Sequence, residues 1–176
     1  MHPQALLAPT LALLLAATPA LAHKAHVHGV MAMNLVIDGP TLSVQLTTPQ
    51  DSLVGHERRP RPGAETTAAA AALALLRDAP RWLRPDAVAG CTAGPVDVMP
   101  GRLEGAAKPG EADGGHADVE ASVSWRCTDI AALRGVDVLL FESFARTERI
   151  EVQVAGGNGP AKQTLRPKRA RVLLVR

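Results

Sequence analysis

The sequence predicts an α+β domain, an antiparallel β-sheet with one main α-helix packed on it. Three observations predict it. Two segments near the start alternate apolar and polar residues around an Asp-Gly turn. One Ala-rich stretch follows. The second half then carries a run of further alternating segments. At 176 residues the chain is long enough for one domain with a modest core.

In order, residues 28 to 48 read as a hairpin. Met31, Met33, Leu35 and Ile37 alternate with smaller or polar neighbours. Asp38-Gly39 is a strong turn signal. Leu42, Val44 and Leu46 alternate with Ser43, Gln45 and Thr47 on the return strand. Residues 51 to 63 are polar, carry Pro60, Pro62 and Gly63, and read as a loop. The Ala-rich stretch from Ala64 to Ala79 is the main helix. Thr66 or Thr67 is suited to cap its start, and Pro80 ends it. Residues 81 to 90 read as irregular, followed by a short strand from Ala93 to Met99.

Residues 100 to 115 contain five glycines and no apolar pattern, as a flexible loop does. Val119, Ala121, Val123 and Trp125 alternate with Asp118, Glu120, Ser122 and Ser124, an antiparallel strand with one wet face. Val136 to Phe141, Ile150 to Val154, Gln163 to Leu165 and Ala170 to Val175 supply further strands.

The start of the chain reads as an export signal. Residues 5 to 22 are apolar and end Ala20-Leu21-Ala22, the small-x-small pattern of a signal-peptidase site. No Lys or Arg precedes them, so His2 and the amino terminus carry the positive charge. A retained membrane anchor is the alternative. Two prolines and an apolar run short of the roughly 20 residues of a span argue against it. The expected mature chain is 23–176, periplasmic, with no stable membrane anchor.

Cys91 and Cys127 suit an oxidising compartment, where a disulfide is favoured over two free thiols or two metal ligands. Net charge is only +2, which implies no strong field. The basic residues that gather near the end are Lys162, Arg166, Lys168, Arg169, Arg171 and Arg176. With two Trp, two Phe and no Tyr there are few stacking platforms, so nucleic acid is not the expected partner. A solvated edge strand protected by charge accounts for the pattern.

The chemistry lies with histidine. His23, His26 and His28 fall within six residues. Imidazole is the commonest side-chain ligand for zinc and copper. In an extended segment, residues two apart face one side, so His26 and His28 can share an ion. A frayed polar terminus is the plain alternative. The same spacing puts His116, Asp118 and Glu120 on one face, which taken alone reads as the polar face of an edge strand. His56 follows Gly55 and, taken alone, reads as a solvated loop residue. What favours metal is the conjunction of three His-bearing clusters in one exported domain, because a tetrahedral zinc needs about four N, O or S ligands.

These pieces together resemble the ZrgA-like periplasmic proteins. The matching segments are His26-Val27-His28-Gly29, the hairpin with Asp38-Gly39, and Thr48-Pro49 with Leu53-Val54-Gly55 and Glu57. The Ala-rich helix, Gly90-Cys91, His116-Ala117-Asp118-Val119-Glu120-Ala121 and Cys127 continue the match. Leu140-Phe141-Glu142-Ser143-Phe144 and Val152-Gln153-Val154 complete it. The resemblance implies a zinc-binding protein that assists an ABC-type metal importer, acting on the importer or its binding protein. Two departures stand out. The family pattern Gly-Phe-Glu-His is replaced by Gly55-His56-Glu57-Arg58, and the loop 100–115 holds no histidine. A single zinc site built from His28, His116 and Asp118, with His26, His56 or Glu120, follows.

Copper is the alternative cargo. Cleavage after Ala22 would leave His23 first, its amine and ring able to chelate copper with His26 or His28. Met31 and Met33 lie close by, and thioether suits Cu(I), although their strand spacing marks them as core. An enzyme is not expected. The chain has no Gly-x-Ser-x-Gly and no His-Glu-x-x-His, and it is far shorter than the roughly 250 residues of a barrel hydrolase. A partner-binding module without metal is the remaining reading.

Overall fold

The computed structural model describes residues 27–107, 109–110, 117–156 and 159–174. The predicted signal segment lies outside them, as do His23, His26 and His116. The expected hairpin is there: β1 (Val30–Asp38) turns through Gly39 and Pro40 into β2 (Thr41–Pro49). Met31, Met33, Leu35, Leu42, Val44 and Leu46 point inward and are buried, as period-two alternation requires.

Residues 51 to 63 were expected to be loop throughout, but they begin with a helix, α1 (Gln50–Val54). Five residues are too few to show a helical period. Gly55 ends α1 at φ 83°, a conformation open to glycine, with its N–H bonded to the Asp51 carbonyl. The main helix α2 spans Ala64–Leu76 and stops three residues before the expected end. Asp78 is already extended and Ala79–Arg81 forms a 3₁₀ turn around Pro80. Thr66 and Thr67 do not cap α2. Gly63 is its N-cap, and both hydroxyls donate back to the Gly63 carbonyl. Trp82 is fully buried, and its Nε1–H bonds the Leu76 carbonyl at 3.0 Å, filling an acceptor at the helix end.

The stretch expected to be irregular contains β3 (Leu83–Pro85). Next come β4 (Cys91–Met99) and β5 (Asp118–Cys127). The expected strand 136–141 divides into β6 (Gly135–Val138) and α3 (Leu140–Ser143). The chain then forms β7 (Arg149–Ala155), β8 (Ala161–Leu165) and β9 (Arg171–Leu173).

Two sheets result, in the orders β4-β5-β2-β1-β7-β8 and β3-β6-β9. The expectation of a single antiparallel sheet therefore holds only in part. β1 and β7 run parallel, since no hairpin joins them and Glu148 and Arg149 both donate to the Gly29 carbonyl where β1 begins. β5 is an interior strand between β4 and β2, not an edge. One hydrophobic cluster unites the inner face of the large sheet with α2, Trp82 and residues of the small sheet such as Val136, Val138 and Val172.

Cys91 and Cys127 form a disulfide between directly paired residues of β4 and β5. Arg171 is not simply solvated. It bridges Asp86 and Asp137 across the small sheet, and Asp86 also accepts from the Arg134 and Gly135 N–H groups. The Arg171 hydrogen bond, above all, holds the Asp86 carboxyl below its ordinary range. The glycine-rich loop is anchored at its start. Leu103 is buried, Glu104 pairs with Arg77, and the Ala107 N–H reaches the Pro60 carbonyl.

Candidate functional site

The strand registers bring several chain ends to one end of the large sheet. β1 and β7 start there, β2 ends there into α1, and β5 starts there opposite Pro49. The backbone stitches these ends together. Gln50 N–H donates to the Ala117 carbonyl at 2.8 Å, and Gly29 N–H donates to Ser52 Oγ at 3.2 Å. Gly29 has φ 76°, and a Cβ there would lie 2.9 Å from Glu148 Cγ, so the glycine after His28 is required by its turn.

His28 stands at this end beside two carboxylates. Its Nε2 is 3.3 Å from Glu57 Oε1, and its Nδ1 is 3.8 Å from Asp51 Oδ2. The imidazole is 56% exposed, whereas Asp51 and Glu57 are 18% and 14% exposed. Asp51 comes from the first turn of α1 and Glu57 from the loop that follows it. Neither was among the metal ligands expected from sequence. Asp51 sat in what read as plain loop. Glu57 had a signal, its place beside His56 in a His-Glu pair.

His56 faces elsewhere. Its Nδ1 is 3.1 Å from the Arg58 carbonyl, an acceptor that makes Nδ1 the donor, and its Nε2 is 3.5 Å from Glu65 Oε2. Arg58 already grips both Glu65 oxygens, at 2.6 and 2.8 Å, and the Arg61 N–H adds a third bond at 2.8 Å. With Arg58 as the leading cause, the Glu65 carboxyl is lowered from 4.5 to about 2. Where the resemblance places a histidine, this chain thus has a guanidinium bound to a carboxylate.

Asp118 and Glu120 lie on the outer face of β5, opposite Pro49 and Thr47 of β2. Asp118 sits at the end shared with α1, and Glu120 one pleat further along. His26 and His116 precede the described residues Val27 and Ala117 in sequence and lie outside the description themselves.

A family model, ZrgA family zinc uptake protein, matches residues 25–174. The chain belongs to the ZrgA family. No curated protein matches it. For a ZrgA protein the test is whether these residues suit zinc. Ligands at about 2.0–2.1 Å around a tetrahedral ion stand about 3.3 Å apart. The separation of His28 Nε2 and Glu57 Oε1 is 3.3 Å. Asp51 faces the opposite ring nitrogen, so it cannot join the same ion with the ring in this orientation. In keeping with this, among the described residues no group of three or more His, Cys, Asp or Glu is placed to hold a metal ion. Among the described residues two donor atoms, His28 Nε2 and Glu57 Oε1, stand at this spacing, and a full zinc shell needs about two more.

Proposed function

We propose that this chain binds a zinc ion at the sheet end marked by His28 and Glu57 and passes it to an ABC-type importer or its binding protein. One observation carries the reading. A half-exposed imidazole nitrogen and a largely buried carboxylate oxygen stand at the ligand-to-ligand spacing of tetrahedral zinc. Membership of a zinc uptake family supports the choice of cargo. His26 and His116 are the imidazoles proposed to complete the shell. Each is a near neighbour in sequence of a residue at this end, since Ala117 is bonded to Gln50 and His28 is beside α1.

The site is read as a carrier and not as a catalyst, in a periplasmic protein released by cleavage after Ala22. Among the described residues no helix is long and apolar enough to cross a membrane. Of the features that suggested copper, Met31 and Met33 are fully buried in the core and present no thioether, while His23 and His26 lie outside the described residues.

The test is titration of the purified mature chain with zinc against a chromophoric chelator at neutral pH. One zinc per chain is expected, with loss on His28→Ala and on His116→Ala. A wild-type chain that takes up no zinc overturns the reading.

A further inference from the structure

We propose that Gln50 is the positioning residue of this site, a buried amide that aims the Glu57 carboxylate at His28. The inference rests on the zinc reading above. Gln50 is fully buried. A buried primary amide must find partners for two N–H donors and a carbonyl oxygen. Here its Nε2 donates to the His56 carbonyl at 3.1 Å and to the Arg58 carbonyl at 2.7 Å. The His56 carbonyl belongs to the peptide unit that enters Glu57 and the Arg58 carbonyl lies one unit beyond the one that leaves it, so a single nitrogen holds the main chain on both sides of Glu57. The amide oxygen accepts from the Arg102 N–H at 3.1 Å, at the start of the glycine-rich loop. The main-chain N–H of the same residue bonds the Ala117 carbonyl, where that loop returns to β5.

One side chain and its own backbone therefore tie together the segment bearing Glu57 and both roots of the loop that ends in His116. Asp51 is its neighbour in sequence. Besides Gln50, the His56 ring on the Arg58 carbonyl and the grip of Arg58 on Glu65 also hold this segment. It is a short connection from Gly55, whose Cβ position lies 2.9 Å from the Arg146 guanidinium, into the proline-rich stretch before α2. Removing the amide loosens the main chain that carries Glu57 and so shifts its carboxylate off the 3.3 Å spacing without touching a metal ligand. Residues that orient ligands in this way are typically worth about 10–100-fold in metal affinity.

The experiment is a double-mutant cycle on zinc affinity in the full mature chain, using Gln50→Met, Glu57→Gln and the pair. Thr48→Val is the control. Thr48 is equally buried, but among the described residues its hydroxyl bonds only the neighbouring Pro49 carbonyl. Thermal unfolding of the metal-free proteins reports any general loss of fold. The visible spectrum of bound Co²⁺ reports the ligand field.

Gln50→Met is expected to weaken zinc about 10–100-fold. It should alter the Co²⁺ spectrum and cost little further affinity once Glu57 is already Gln. Thr48→Val is expected to leave affinity and spectrum unchanged. If Gln50→Met costs as much affinity in the Glu57→Gln background as in the wild type, or no more than Thr48→Val, Gln50 does not act through Glu57 and the inference falls while the zinc reading stands. If the wild-type chain binds no zinc, both fall. Should Gln50→Met fail to fold, Gln50→Asn decides by the same cycle, because it keeps the amide but draws it back by one methylene.

Discussion

The two histidines of the described structure differ in the company they keep. His28 and His56 each face a carboxylate at similar range, 3.3 Å to Glu57 and 3.5 Å to Glu65. Yet His28 is more than half exposed at the open end of the sheet, while His56 is tucked in at 15%. The carboxylate beside His56 is already bound by both arms of Arg58. A carboxylate gripped by a guanidinium has its lone pairs and its charge committed, so it makes a poor metal ligand. Distance alone does not separate the two pairs; the exposure of the imidazole and the grip of Arg58 on Glu65 do.

The largest expected effect tests the first half of that contrast. His28→Ala or Glu57→Gln should each cost more zinc affinity than the roughly 10–100-fold typical of losing a supporting residue, as read by chelator competition. Loss in neither variant would place the ion elsewhere.

Arg58→Ala should erase the contrast itself. With the guanidinium gone, Glu65 rises from about 2 toward its ordinary 4.5, and His56 gains an available carboxylate. A second, weaker zinc equivalent is expected in the titration, and a stoichiometry fixed at one would show that Arg58 is not what silences His56.

A smaller effect concerns acid stability. Because Glu65 is depressed in the folded chain, its contribution is complete above about 4.5 and is lost as pH falls toward about 2. Glu65→Gln should therefore flatten the fall of the unfolding midpoint between neutral pH and this range. An unchanged acid limb would assign that limb to other groups, Asp86 first among them.

The smallest effect is predicted for His56→Ala, with zinc affinity within about twofold of wild type, as for an independent site. A loss comparable to that of His28→Ala would move His56 into the site.

Much of the fold was legible because its signals are long. Nine-residue strands with strict alternation gave β1 and β2, and an uninterrupted run of alanines gave α2. What was missed is short or non-local. α1 has five residues and β3 has three, one of them Pro85 and another Arg84, so neither shows a period. The parallel pairing of β1 with β7 depends on where a distant segment returns, which no local pattern encodes. The site was legible in part. His28 announced itself through His-x-His-Gly, and its glycine has a steric reason to be there. Asp51 was hidden because the helix that turns it toward His28 was invisible. Arg58 was noted as a departure, but its hold on Glu65 spans a loop whose path the sequence did not give.

The staple between Cys91 and Cys127 reaches beyond stability. These cysteines face each other across neighbouring strands, at the opposite end of β5 from Asp118. Made in a reducing environment, the same chain would carry two adjacent thiols, that of Cys91 the more accessible, and deprotonated sulfur is a favoured zinc donor. Oxidation retires that rival pair. The metal content of recombinant material will therefore depend on where it was produced, and a count of ions per chain carries meaning only once the thiols are shown to be joined.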